Sequence, residues 1–176
     1  KEVHFRYPRI PNTHSFKFND INSVKEKMDS FRKESGESDI YALIIEPFSG
    51  GNLLQCSTEF LQKLQKICND NNVILIFDEI YVGWYKTGNR FNFMGHDVIP
   101  DILTMSKSLG GGKSSISAYV SRESILKKAY GNLQDATLHS TTYNGFGEEC
   151  ITAIEAINIM EEENYKEKSL RIEKTV

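Results

Sequence analysis

Three apolar runs in this 176-residue sequence each stop at a residue able to hold or move a proton. Ile40-Tyr-Ala-Leu-Ile-Ile45 stops at Glu46-Pro47, Val73-Ile-Leu-Ile-Phe77 at Asp78-Glu79, and Ile102-Leu-Thr-Met105 at Ser106-Lys107. Taken singly, none is informative: most lysines are solvated, and an Asp-Glu pair after a strand is often a helix cap or an ion-pair partner. Taken together, they place carboxylates and an amine at the ends of consecutive elements. In open α/β sheets, ligands sit beyond the carboxyl ends of the strands. Such an edge suits proton transfer and amine chemistry.

The elements that must position these groups follow from the pattern. Continuous apolar runs of four to six residues suit strands buried on both faces, as in a parallel sheet. Asp20 is placed to cap a helix carrying Ile21, Val24 and Met28, which ends in the polar run from Lys33 to Asp39. Ser57 or Thr58 caps a second helix, in which Phe60, Leu61, Leu64, Ile67 and Cys68 form one apolar stripe ended by Asn71-Asn72. Ser117 to Val120 reads as a fourth strand, followed by a helix from about Arg122 to Tyr130. The polar stretch from Gly131 to Gly147 reads as loop. From Glu148 helical spacing returns, with Ile151, Ile154, Ile157 and Met160 on one face. Residues 1–18, with Tyr7-Pro8 and Ile10-Pro11, read as extended chain and loop. Strand–helix alternation predicts an α/β fold with a mainly parallel sheet and flanking helices.

Composition narrows the function classes. Hydrophobic residues at 39% and charged residues at 26% are those of a soluble globular domain. The formal net charge of −3 comes from interspersed signs, with no basic stripe for nucleic acid and no polybasic patch for a membrane. No apolar run approaches the roughly 20 residues of a membrane span, and the start of the chain does not read as a signal peptide. The three cysteines, Cys56, Cys68 and Cys150, form no CxxC pair and read as small buried hydrophobes in a reducing compartment, which makes the cytoplasm the expected location. His4, His14, His96 and His139 do not cluster, so no metal site is expected. Gly110-Gly-Gly-Lys113-Ser114 is not a phosphate loop: Lys stands at 107 where that motif requires Gly, and the four-residue gap is absent.

The segment Ile74-Leu-Ile-Phe-Asp78-Glu79-Ile80, then Gly83, Thr87-Gly88 and Pro100-Asp101-Ile-Leu-Thr-Met-Ser106-Lys107-Ser-Leu-Gly-Gly-Gly112, resembles the signature of class III aminotransferases, enzymes dependent on pyridoxal 5′-phosphate (PLP). Asp78 and Lys107 stand 29 positions apart, about as in that family. Ile44-Ile45-Glu46-Pro47 upstream and His139-Ser-Thr-Thr142-Tyr143 downstream extend the resemblance over nearly the whole chain. It implies a partial fold-type-I large domain over residues 1–165, with 166–176 starting the passage toward a C-terminal small domain. By resemblance, Lys107 is the Schiff-base lysine, Asp78 pairs with the pyridine nitrogen and Ile80 packs on the ring. Thr142 reaches the cofactor phosphate of the neighbouring subunit, which implies a homodimer. Tyr81 takes the place of a glutamine that touches the phenolic oxygen, either making that contact or packing. Glu46 reads as a structural carboxylate.

The departures are local. Gly-Arg-Thr-Gly becomes Tyr85-Lys86-Thr87-Gly88, and the Gln-Gly/Ser-Glu after Glu-Pro becomes Ser49-Gly50-Gly51. The Gly-Gly-Asn-Pro after Tyr143 becomes Asn144-Gly145-Phe146-Gly147. Trp84 and Tyr85 either line a substrate entry or cover the sheet edge, and Glu161-Glu-Glu163 reads as the solvated end of a helix. The expected activity is amino-group transfer between an amine or amino acid and an oxo acid or aldehyde. Family members are longer, with a phosphate-binding turn upstream and a small domain downstream, so the chain reads as a fragment. The alternatives are a class III mutase, decarboxylase or racemase, or a fragment that serves only as a scaffold.

Overall fold

A computed structural model describes residues 11–175. Asp20 caps α1 (Ile21–Ser30): its Oδ1 accepts from the amides of Asn22 and Ser23. β1 (Ala42–Ile45) follows, then a short antiparallel hairpin of β2 (Phe48–Ser49) and β3 (Leu54–Gln55). Ser57 caps α2 (Thr58–Asp70) through its hydroxyl and the amide of Phe60. β4 (Ile74–Asp78), β5 (Ile102–Met105) and β6 (Ala118–Ser121) complete the main sheet, followed by α3 (Glu123–Tyr130), α4 (Gly147–Glu162) and α5 (Tyr165–Glu173). Among the described residues no helix is long and apolar enough to cross a membrane. The expected loop at the start of the chain lies outside the described residues for positions 1–10.

The sheet order is β1-β4-β5-β6. β1, β4 and β5 run parallel, while β6 returns antiparallel on the edge. The register pairs Ile45 with Phe77 and Asp78 with Thr104, so the three parallel strands finish at one edge. The α/β class and the mainly parallel sheet are as the sequence predicts.

The expectation of strands buried on both faces is corrected. β1 alternates exposed and buried positions: Leu43 and Ile45 are inside, while Ile44 is 58% exposed. In β4 and β5 the same pleat buries Leu75, Phe77, Leu103 and Met105 and leaves Ile76, Asp78 and Thr104 half-buried. The buried set forms one cluster with Val24 and Met28 of α1 and Phe60, Leu61, Leu64 and Cys68 of α2. Two helices on that one face of the sheet make the inner row far drier than the outer.

The face of α4 is also corrected. Ala153, Ala156 and Met160 are buried and Ile157 packs against them, whereas Ile151 and Ile154 are 70% and 58% exposed. The reason is close approach. α4 packs on the turn after Lys107, where a Cβ on Gly111 would meet that of Ala156 at 2.9 Å. Only a small residue fits a helix that near another backbone, so Ala156 takes the contact.

The pleat also separates two neighbouring carboxylates. Asp78 belongs to the outer row, so Glu79 turns inward and is fully buried. Its Oε2 accepts the Asn92 amide at 2.6 Å and its Oε1 the Phe93 amide at 2.9 Å, which starts the 3-10 turn Asn92–Gly95. Burial pushes the Glu79 carboxyl up to about 7, outweighing the two amides that favour its charged form.

Two outcomes test this account. Leu61→Ala, at a site with no exposure, should lower the unfolding free energy by about 2–5 kcal/mol in urea titration. Because the folded carboxyl of Glu79 titrates above its unfolded value, its contribution to stability is full below about 4.5 and is lost as pH rises through about 7. The thermal midpoint of wild type relative to Glu79→Gln should therefore fall as pH rises from about 5 to about 8; a constant difference would contradict the assignment.

Candidate active site

The common edge of β1, β4 and β5 gathers the groups picked out in the sequence. Asp78 ends β4, and its Oδ1 accepts from the Ile80 amide at 3.0 Å and the Thr104 hydroxyl at 3.2 Å. No described residue donates to the other carboxylate oxygen, Oδ2. Ile80 is half-buried in the turn that follows. Glu46, one residue beyond β1, accepts the Gly50 amide on Oε2 at 2.9 Å and so fixes the entry to the β2–β3 hairpin.

Lys107 opens the 3-10 turn Lys107–Gly110, one residue after Ser106. Its φ is +47°, a conformation that a side chain with a Cβ adopts only under constraint. The constraints flank it. The Ser106 hydroxyl donates to the Ile116 carbonyl at 2.9 Å, the Leu109 amide returns to the Ser106 carbonyl, and Gly111 takes the left-handed position that ends the turn. The Lys107 amine is exposed, and no described carboxylate forms an ion pair with it. Its Nζ stands 6.0 Å from the centre of the Tyr81 ring.

The 81–91 segment supplies the wall of this site. Trp84 and Tyr85 both have positive φ, +64° and +69°, and both amides donate to the Arg90 carbonyl. Both side chains are buried, Trp84 edge-on to Phe91 with ring centres 5.1 Å apart, which favours the covering role over the entry-lining one. The Tyr85 hydroxyl donates to Glu161, which also pairs with Arg90 at 2.7 Å. Glu161 is thus a tie between α4 and the site wall rather than part of a merely solvated helix end, which corrects the sequence reading. Ser169 of α5 adds a hydroxyl bond to the Tyr85 carbonyl at 2.6 Å.

Sequence reasoning noted Lys86 only as a departure from a pattern and gave it no role. Its Nζ donates to the Ser108 hydroxyl at 2.6 Å and contacts the Gly83 carbonyl at 3.4 Å. Burial and the neighbouring Lys107 cation both lower its pKa. The signal was present: Lys86 fills the slot of an arginine in the family pattern, so a cation was expected there. The sequence pattern likewise gives Glu79 no role, because its burial depends on strand phase.

Asp78, Ile80, Tyr81 and Lys107 therefore lie at one sheet edge, and Thr142 does not join them by any hydrogen bond. It is exposed in the 131–146 loop, which rests against β6 through His139 and Tyr119, ring centres 5.4 Å apart. Cys56 and Cys68 are buried and free, as expected, and burial pushes both thiols up to about 12. Cys150 is only half-buried.

The donor set fits the ring of an aldehyde-bearing pyridine cofactor. An open carboxylate oxygen is present for a ring N–H, a free amine for the aldehyde, and an aliphatic and an aromatic side chain beside them.

Comparisons with known proteins agree with this chemistry. Residues 2–176 match the family model for class-III aminotransferases. The acetylornithine aminotransferase of Methanocaldococcus jannaschii is 35% identical over 158 residues, 89% of this chain and 36% of that protein. The putrescine aminotransferase of Pectobacterium atrosepticum is 30% identical over 163 residues, 92% of this chain and 34% of that protein. The crystal structure of ornithine aminotransferase from Toxoplasma gondii superposes with a TM-score of 0.82 at 26% identity, covering 96% of this chain and 38% of that one. The fold is that of fold-type-I PLP-dependent transferases. The chain spans about a third of the length of the curated relatives it matches. Family match, relatives and sheet-edge geometry converge: the chain belongs to the class-III aminotransferases.

Proposed function

We propose that this chain is the cofactor-binding portion of a PLP-dependent aminotransferase that moves an amino group between an amine or amino acid and an oxo acid or aldehyde. The observation that carries the reading is that Lys107, whose amine forms no ion pair among the described residues, and an open Asp78 oxygen stand at the ends of adjacent parallel strands.

Lys107 Nζ would hold the cofactor through its aldehyde carbon and, once released by the incoming amine, carry a proton to and from the substrate carbon. Asp78 Oδ2 would hold the ring nitrogen's proton in place, since its partner oxygen is already occupied by Ile80 and Thr104. When bound, the cofactor supplies an electron-withdrawing ring that stabilises negative charge on the substrate carbon. Ile80 would pack on the ring, and Tyr81 would stand beside its phenolic edge. The hydrogen bond from Lys86 to the Ser108 hydroxyl ties a second basic side chain to the turn that bears Lys107.

Residues 1–165 then belong to the large domain and 166–176 lead toward a small domain. Thr142, exposed in its loop, would reach the phosphate at a neighbouring subunit's site, making the working unit a homodimer. Exposed Leu133, Leu138 and Tyr143 on the same loop support a surface that another chain covers. A cytoplasmic location accords with the free cysteines.

Borohydride reduction of the PLP-loaded protein followed by peptide mapping tests the lysine. The label should fall on Lys107. In the full-length protein, Lys107→Ala should abolish both label and amino transfer, whereas Lys113→Ala should leave both largely intact; equal loss in the two variants would overturn the assignment. Asp78→Asn should keep the label on Lys107 yet slow transfer by at least about 100-fold. Undiminished transfer would remove Asp78 from its role.

A further inference from the structure

Tyr81 stands where the family pattern has glutamine, and Gly50 lies in a segment that also departs from that pattern. The structure joins the two departures. A Cβ built on Gly50 would lie 2.5 Å from Tyr81 Cγ and 2.7 Å from Cδ1, well inside contact distance. The clash is with the root of the ring, so bending the far end of the side chain does not relieve it. Gly50 has no positive φ, so its backbone conformation does not itself demand glycine; the approach of the ring does.

Gly50 is not free to retreat either. Its amide is bonded to Glu46 Oε2 at 2.9 Å, and the Leu53 amide closes the same hairpin onto the Ser49 carbonyl at 2.8 Å. The Tyr81 ring therefore rests on a pinned backbone with one side, and the Lys107 ammonium stands 6.0 Å from its centre. Tyr81 is 40% exposed, which leaves the ring facing the site rather than filling the core.

We propose that Gly50 and Tyr81 are a coupled pair of positioning residues for Lys107, with Glu46 holding the platform on which the ring rests. The series Glu46–Gly50–Tyr81–Lys107 links the ends of β1, β4 and β5 through the Glu46 carboxylate, the Gly50 backbone and the Tyr81 ring. The aromatic face gives the flexible amine a preferred resting place by cation–π attraction. The functional meaning of this seat rests on Lys107 being the cofactor-bearing lysine; the seat itself does not.

Lysine labelling of the apoprotein with acetic anhydride, quantified by peptide mass spectrometry and referenced to Lys113, tests the coupling. Tyr81→Ala should raise the relative labelling rate of Lys107 about threefold, the scale of a cation–π contact at a partly exposed site. Tyr81→Phe, which keeps the ring, should match wild type. Gly50→Ala should raise labelling as Tyr81→Ala does, and the double variant should be no higher than either single one. Should Gly50→Ala fold poorly, adding Tyr81→Ala must restore its thermal midpoint, because the clashing ring is gone. Wild-type labelling in Tyr81→Ala, additive effects in the double variant, or no restoration would each overturn the pair. PLP capture by borohydride is read in parallel. A full-length protein that labels as expected but captures PLP on a lysine other than Lys107 would sink the cofactor reading alone, leaving the seat intact.

Discussion

The buried carboxylate of Glu79 is the interaction on which the site wall depends. It has no exposure, yet it accepts two backbone amides from a turn thirteen and fourteen residues further on. A buried amide left without an acceptor costs about 1–3 kcal/mol, so the turn at Asn92 and Phe93 has a strong reason to form against Glu79. Closing that span forces residues 80–91 to loop outward at the end of β4. Tyr81 and Lys86 then meet the turn of Lys107. The carboxyl's raised pKa is the electrostatic cost of placing an acid there.

The loop that Glu79 closes carries backbone strain. Trp84 and Tyr85 occupy the left-handed region in succession, which bulky side chains seldom do. Two amides sharing the Arg90 carbonyl, the Tyr85–Glu161–Arg90 cluster and the Ser169 hydroxyl hold them there. The conformation is therefore fixed from α4 and α5, elements far along the chain. Lys107 has the same kind of strain, with α4 packed on its turn through Ala156 and Gly111. Strained residues in the segments that follow β4 and β5 accord with a site whose geometry is imposed by its surroundings.

Seen from the sheet, the arrangement is a matter of strand phase. Side chains alternate along β4, so Asp78 and Glu79, adjacent and chemically alike, have opposite surroundings. Asp78 keeps one oxygen open on the outer row, while Glu79 becomes a structural acceptor. Parallel pairing adds the other condition, since only parallel neighbours finish at the same edge. Glu46, Asp78 and Lys107 share a neighbourhood for that reason, although up to 61 positions separate them.

The sequence by itself determined the four strands of the main sheet, the cap at Asp20, the stripe of α2 and the 29-position spacing between Asp78 and Lys107. These are legible because they rest on local periodicity, local hydrogen bonding or a spacing shared with a family. Tertiary structure alone decided which sheet face is dry, which face of α4 is buried and what Glu79, Lys86, Glu161 and Gly50 do. Ile44 and Leu43 are equally apolar as letters, and only packing on α1 and α2 separates them. Ile151 and Ile154 outrank Ala153 and Ala156 in hydrophobicity, yet the close approach to Gly111 is made by Ala156, on the face that is buried. Gly50 needs no special φ, so nothing in its own segment marks it. Its requirement arises from a ring 31 positions away, a distance the chain closes only by folding.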